Sequence, residues 1–222
     1  MRELFHEQLD GVFADLAEIC NKVETAVTLA TEALLTGDAA IAEEVISGDI
    51  EIDRAREHVE ETAFELLSLQ QPVAGDLRTV VSALRMVSEL ERMGDLSVHV
   101  AKIARLRVPQ VAVPLEIQPT VGRMAEVAED MVRRVAQIII SRDVEAAIAL
   151  GRDDEVMDQL RRQSFTELLS EDWPHGVEAA VDIALLGRYY ERIADHAVSV
   201  ANRVVFVVTG HNPSSVDAGR AG

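Results

Sequence analysis

Pro72 and Pro174 each stand at the centre of a mirror-symmetric set of acids, and this symmetry constrains the fold more than any other feature of the chain. Asp49 and Asp53 precede Pro72, and Glu91 and Asp95 follow it. The midpoint of Asp53 and Glu91 is position 72, and so is that of Asp49 and Asp95. Around Pro174 the set is Asp154, Asp158, Glu191 and Asp195, and both of its midpoints fall at 174.5. If each proline marks a turn between antiparallel helices, residues equidistant from it lie at one height, because both helices rise about 1.5 Å per residue. Residues at i and i+4 share a helix face, so each hairpin can bring four carboxylates to one level. Two like unit charges 4 Å apart cost about 1 kcal/mol in water and about 4 near a protein surface. A bound cation would remove that cost, and oxygen-only ligands suit hard metal ions.

A single acid pair at i, i+4 carries little weight, because most such pairs lie on solvated faces. Glu3/Glu7, Glu57/Glu61, Glu126/Asp130 and Glu167/Glu171 are expected to be of that kind. The four chosen pairs differ because they recur at repeat-related positions and oppose one another across a turn. They also continue an apolar row that runs from Leu77, Val81 and Leu84 through Ser88 to Glu91, Asp95 and Val98. Acids so close to a seam are costly to leave without a partner. A metal site or a buried ion pair is therefore expected at these acids, the expected metal ligands being Asp49, Asp53, Glu91 and Asp95 in the first half and Asp154, Asp158, Glu191 and Asp195 in the second.

The periodicity predicts an all-α chain of six long helices. The first runs from about Glu3 to Leu35, with Phe5, Leu9, Val12, Leu16, Ile19, Val23, Ala26 and Ala30 in alternating steps of four and three, a coiled-coil seam. Thr36-Gly37-Asp38 supplies a stop and a new N-cap. The second helix runs to Leu69, and the third from Val73 to Arg107. Pro109 and Pro114 mark a linker over 108–115. The fourth helix covers Gln118 to Ile140, with Ser141-Arg142-Asp143 as the turn that mirrors Thr36-Gly37-Asp38. The fifth covers Val144 to Ser170, and the sixth follows Trp173-Pro174-His175-Gly176 and runs to Thr209. A shift of 105 places Asp38, Asp49 and Asp53 on Asp143, Asp154 and Asp158; a shift of 100 places Glu91-Arg92-Met93-Gly94-Asp95 on Glu191-Arg192-Ile193-Ala194-Asp195. The expected architecture is two repeated antiparallel three-helix bundles, 1–107 and 116–209, with a disordered tail over 210–222.

Composition narrows the function classes. Apolar residues make up 48% and aromatics only 4%, which favours helices with a sizeable core. The net charge of −18 excludes nucleic acid as a partner, since its phosphates would be repelled. Cys20 lies in an apolar stripe and is expected to be a buried thiol. The apolar run Val204–Val208 is too short to span a bilayer. The N-terminus lacks the apolar core of a secretory signal, so a cytoplasmic location is expected. No nucleophilic triad, Walker loop or dinucleotide fingerprint is present. Arg92 and Arg192 are read as salt-bridge partners, and His99 and His196 as helix-surface histidines, His99 being able to extend the ligand row. Gly94 is read as a point of close helix packing.

The motifs Glu-Arg-Met-Gly-Asp-Leu (91–96), Glu-Arg-Ile-Ala-Asp-His (191–196) and Pro72-Val73-Ala74-Gly75-Asp76-Leu77-Arg78 resemble the signature of the PhoU family of phosphate-transport regulators. The resemblance covers about residues 3–209. It implies two three-helix bundles with metal clusters on the acid pairs, holding divalent or trivalent ions such as iron, zinc or magnesium. It implies a non-enzymatic negative regulator of the phosphate-starvation response. Such a regulator bridges the phosphate ABC transporter ATPase and a sensor histidine kinase, is a homodimer, and meets the membrane only through these partners. Leu96 stands where the second half has His196, and Val156 where the second helix has Glu51, so the two sites are expected to differ. The competing class is a carboxylate-bridged metal oxidoreductase or metal-storage bundle. Ferritin-like sites need duplicated Glu-x-x-His pairs facing an enclosed centre; no such duplication is present, and three helices per half are expected to leave no enclosed centre and to keep the acid sites open.

Overall fold

In the computed structural model, residues 2–211 are described, with the side chains of 2–4, 153 and 154 excepted. The tail expected to be disordered falls, from 212 on, outside the described residues. Six helices follow in order: α1 (Arg2–Thr36), α2 (Ala39–Gln70), α3 (Gly75–Arg107), α4 (Gln118–Ser141), α5 (Val144–Leu168) and α6 (Gly176–Thr209). Among the described residues there is no strand, and no helix is long and apolar enough to cross a membrane.

The turn signals act where the sequence places them. Asp38 caps α2 by accepting from the N–H groups of Ala40 at 2.8 Å and Ile41 at 3.2 Å. Asp143 does the same for α5 with Glu145 at 2.9 Å and Ala146 at 3.1 Å. Gly37 takes φ +73° after α1, and Arg142, its counterpart at a shift of 105, takes φ 55° after α4. That left-handed arginine lies over the Phe13 ring, 4.6 Å from the centroid, and pairs with Asp10. The third helix starts two residues later than expected, at Gly75, because Ala74 turns into positive φ.

The two antiparallel triplets, α1–α3 and α4–α6, share one core. Helix α1 packs on α4 as well as on α2 and α3, and α3 packs on α6 as well as on α1 and α2. Helices α1, α3, α4 and α6 thus form a central layer two helices deep, α1 packed on α4 and α3 on α6, flanked by α2 against the α1–α3 pair and by α5 against the α4–α6 pair. The expectation concerned each half by itself; the two halves jointly enclose one centre. It is filled by apolar side chains such as Leu16, Met86, Leu90, Met93 and Ile193. Tyr190 is fully buried there, and its hydroxyl meets the Thr31 hydroxyl of α1 at 2.8 Å. Cys20 is buried as expected.

The central layer explains a second difference. Besides its expected seam, α1 buries Phe13, Cys20, Val27 and Leu34, because it has neighbours on two sides. On α3 the buried row is Val80, Ala83, Val87, Leu90, Gly94, Ser97, Ala101 and Ala104. The expected row lies one step round the helix, and its first members Leu77 and Val81 are exposed because no described residue covers the hairpin tip.

Candidate metal centre

Helix α2 carries Asp49 and Asp53 one turn apart, and α3 carries Glu91 and Asp95 in the same way. The turn at Gln71 and Ala74 folds α3 back along α2, and all four acids are half-buried between the two helices. Gly94 sets the spacing. A Cβ there would lie 3.0 Å from Ile52 Cδ1 and 3.4 Å from Asp49 Oδ1, so α2 approaches α3 where a side chain would otherwise stand. The expectation for Gly94 is met.

The four acids lie within each other's fields. Burial pushes Asp49 up to about 6, and the charges of Asp53, Asp95 and Glu91 add to it, with Lys102 pulling back. Glu91 is raised by burial first and then by Asp95, with Arg92 and Arg56 opposing and Asp53 adding. Arg92 bridges the α3 pair, 3.2 Å from Asp95 and 3.6 Å from Glu91, as expected of it. Arg56 is drawn away to Glu60 at 2.7 Å. Glu51 turns to Arg54 at 2.6 Å and takes no part. His99 does not extend the row. It stacks on Tyr189 of α6 with ring centroids 5.3 Å apart.

The second half differs. Asp158 is exposed and 3.9 Å from Arg162. Asp154 lies in α5, and its side chain is outside those described. Glu191 is only 8% exposed and is held by two arginines, Arg161 at 2.7 Å and Arg188. Asp195 is raised by burial and then by Glu191, with Arg188 and His196 opposing and Asp158 adding. Two substitutions within the repeat account for the arginines. Arg188 stands where the first half has Ser88, and Phe165 stands where it has Glu60. Arg161 therefore lies over the Phe165 ring at 5.5 Å and is left to reach Glu191. His196 is not a surface histidine: it is half-buried, with Nδ1 2.6 Å from Glu89 of α3.

In chemical type, four carboxylates fit a hard cation, and the first cluster is the less neutralised of the two. Among the described residues, however, no three His, Cys, Asp or Glu side chains stand close enough together to hold a metal ion without moving inward. Of the contacts that the sequence reading missed, Glu191 with Arg161 and His196 with Glu89 depend on how hairpins or halves pack, whereas Glu191 with Arg188 is an i, i+3 pair within α6.

The match to known proteins extends over both repeats. The PhoU domain pattern matches residues 16–104 and again 121–204. The chain belongs to the PhoU family. Among curated proteins, it is 47% identical over 213 residues to a protein of Mycobacterium tuberculosis named phosphate-specific transport system accessory protein PhoU homolog 2, covering 96% of this chain and 100% of that one. It is 46% identical to PhoU homolog 1 of Mycobacterium leprae, covering 96% of each chain. Among solved structures, the crystal structure of PhoU from Pseudomonas aeruginosa superposes with a TM-score of 0.86 at 27% identity, covering 93% of this chain and 100% of that one. The all-helical fold is thus that of PhoU structures, and the two acid clusters occupy the two PhoU repeats.

Proposed function

We infer that this PhoU-family protein is an accessory regulator of phosphate-specific transport. The observation that carries this reading is the match of both repeats to the PhoU domain, together with relatives named as transport accessory proteins that align over nearly the whole chain. The protein acts without catalysis, as an adaptor on the cytoplasmic side. It links the phosphate transporter's ATPase to a sensor histidine kinase and represses the phosphate-starvation response. A homodimer is part of the same reading. The strong negative charge favours docking on basic partner surfaces, so association weakens as salt rises.

The acid clusters are the proposed metal sites, with the Asp49, Asp53, Glu91 and Asp95 set foremost. A divalent or trivalent cation there would relieve the repulsion that lifts Asp49 and Glu91. The oxidoreductase alternative is less supported, because the enclosed centre that a ferritin-like reaction would use is packed with apolar side chains. The test of the regulatory reading is deletion of the gene. Phosphate-uptake genes should switch on in phosphate-rich medium. Unaltered phosphate-responsive expression in a strain without a paralogue would end the reading.

A further inference from the structure

The tip of the α5–α6 hairpin exposes apolar side chains that no described residue covers. Leu169 is 81% exposed, Val177 80% and Val181 50%. With Phe165, Leu168 and Trp173 they line a groove of about 550 Å³. The groove runs into a second depression that shares Ser170 and Trp173 with it and is edged by Glu167, Asp172 and Glu116, the last 3.2 Å from His175. Contiguous exposed apolar surface with a polar rim marks an interaction site, and here the rim is acidic. At this groove a second copy of the same tip would set acidic rim against acidic rim. The complementary occupant is cationic.

We propose that this groove docks a cationic amphipathic helix of a partner protein. The apolar stripe of that helix lies against Leu169, Val177 and Val181, and its Lys or Arg side chains reach Glu167 and Asp172. The proposal deepens the accessory reading and rests on it. The opposite tip carries the same pattern. Leu69, Leu77 and Val81 are exposed, and a shift of 100 places them on Leu169, Val177 and Val181. Because α3 and α6 run antiparallel, the two tips lie at opposite poles, about 50 Å apart along helices of 33 and 34 residues. A helix-binding row at each pole is the geometry an adaptor needs to hold two partners at once.

The probe is a fluorescent peptide of Leu and Lys in an amphipathic helical pattern, about 20 residues long, titrated with the full chain at low salt. A counterpart with Glu in place of Lys is the charge control. The Lys peptide should bind and the Glu peptide should not. The double variant Leu169→Ser/Val177→Ser should weaken binding by about tenfold or more. The double variant Ile50→Ser/Ile140→Ser, which changes exposed apolar residues elsewhere, should change it by less than about twofold. Glu167→Gln/Asp172→Asn should flatten the salt dependence. These are surface changes, and circular dichroism checks that each variant is folded. No binding of the Lys peptide, unchanged affinity in the groove variant, or equal weakening by both apolar variants overturns the proposal. So does a changed sedimentation coefficient in the groove variant, which would make the groove a contact between copies. The assay contains neither transporter nor kinase, so its failure leaves the accessory reading standing. Peptide binding in the groove alongside a silent gene deletion removes the accessory reading alone.

Discussion

Arg107, the last residue of α3, donates from Nε to Oδ2 of the buried Asp182 on α6 at 2.6 Å and also pairs with Glu178. At the other pole Arg78 of α3 donates from Nη2 to the Val207 carbonyl of α6 at 3.1 Å and lies over Phe206, 5.8 Å from the ring centroid. In the 100-residue repeat, position 78 corresponds to 178 and position 107 to 207. The two contacts are therefore one contact made twice, with the arginine on α3 each time, and together they clamp the halves. Removing one partner of a buried pair is more destabilising than removing both, because the remaining charge has no compensation. Arg107→Ala should lower the thermal unfolding midpoint. Adding Asp182→Ser, the residue found at position 82, should recover part of the loss. Equal midpoints for the single and double variants would show that Asp182 does not depend on Arg107.

The acid cluster gives the protein an unusual pH response. Asp49 is pushed up to about 6 in the fold, mainly by burial, against about 4 for a carboxyl in the unfolded chain. The native state holds this proton more tightly than the unfolded state does. The resulting stabilisation is fully present below about pH 4 and is lost as pH rises through about 6. Glu91 is displaced in the same direction. For a half-buried cluster still reached by solvent, the cost at neutral pH is about 1 kcal/mol after screening. Without metal, acidification from about pH 7.5 to about pH 5 should therefore raise the unfolding midpoint of the native chain relative to Asp49→Asn. Parallel pH profiles for the two proteins would show that Asp49 carries no such cost.

The fold was legible in the sequence wherever its determinants are local. Asp38 and Asp143 announce helix starts by side-chain capping, and Gly37 announces a stop, so five of the six helices begin within a residue of expectation. The acid levels were legible for the same reason: a turn and a fixed rise per residue determine them. The pairs that cross between halves were not. Arg107 with Asp182, Glu89 with His196 and Thr31 with Tyr190 depend on α1, α3, α4 and α6 sharing one layer. A signal for that layer existed. Phe13, Cys20, Val27 and Leu34 form a second heptad row on α1, and a helix with two apolar rows needs neighbours on two sides. The row through Leu77 and Val81 misled because heptad spacing reports a face, and at this hairpin tip no described residue packs on it.

Added divalent cation should stabilise the protein by mass action. A site filled at about one hundred times its dissociation constant contributes about 2.7 kcal/mol. The gain should be larger at neutral pH than in acid, because protons compete for Asp49 and Glu91. Glu91→Ala/Asp95→Ala should abolish most of it. Glu191→Ala/Asp195→Ala should change it less, because Arg161 and Arg188 already neutralise Glu191. Metal content by mass spectrometry and the shift of the unfolding midpoint give independent readings. A larger loss of bound metal from the second-half variant would reverse this ranking of the two clusters.

Gly94 ties the acid cluster to the core. A Cβ at this position would meet Ile52 Cδ1 at 3.0 Å, Ile52 Cγ2 at 3.3 Å and Asp49 Oδ1 at 3.4 Å. Alanine would ask only for a small rotation of the flexible Ile52 end, and the second half does carry Ala194 here. Valine adds two methyl groups that must push α2 away. Overpacking of this kind costs about 1–3 kcal/mol, against about 0.5 kcal/mol regained in helix propensity over glycine. Gly94→Val should therefore destabilise the protein by about 1–2 kcal/mol. Because the helices separate, it should also shrink the rise in stability on acidification, as Asp49 moves away from Glu91 and Asp95. Gly11 is the control, since nothing lies within 4 Å of a Cβ built there. Gly11→Ala should stabilise by up to about 1 kcal/mol and leave the pH profile as it was. Urea unfolding at neutral and acid pH separates the two effects. A Gly94→Val protein as stable as the native chain, with the same pH profile, would show that Gly94 does not set the spacing between α2 and α3.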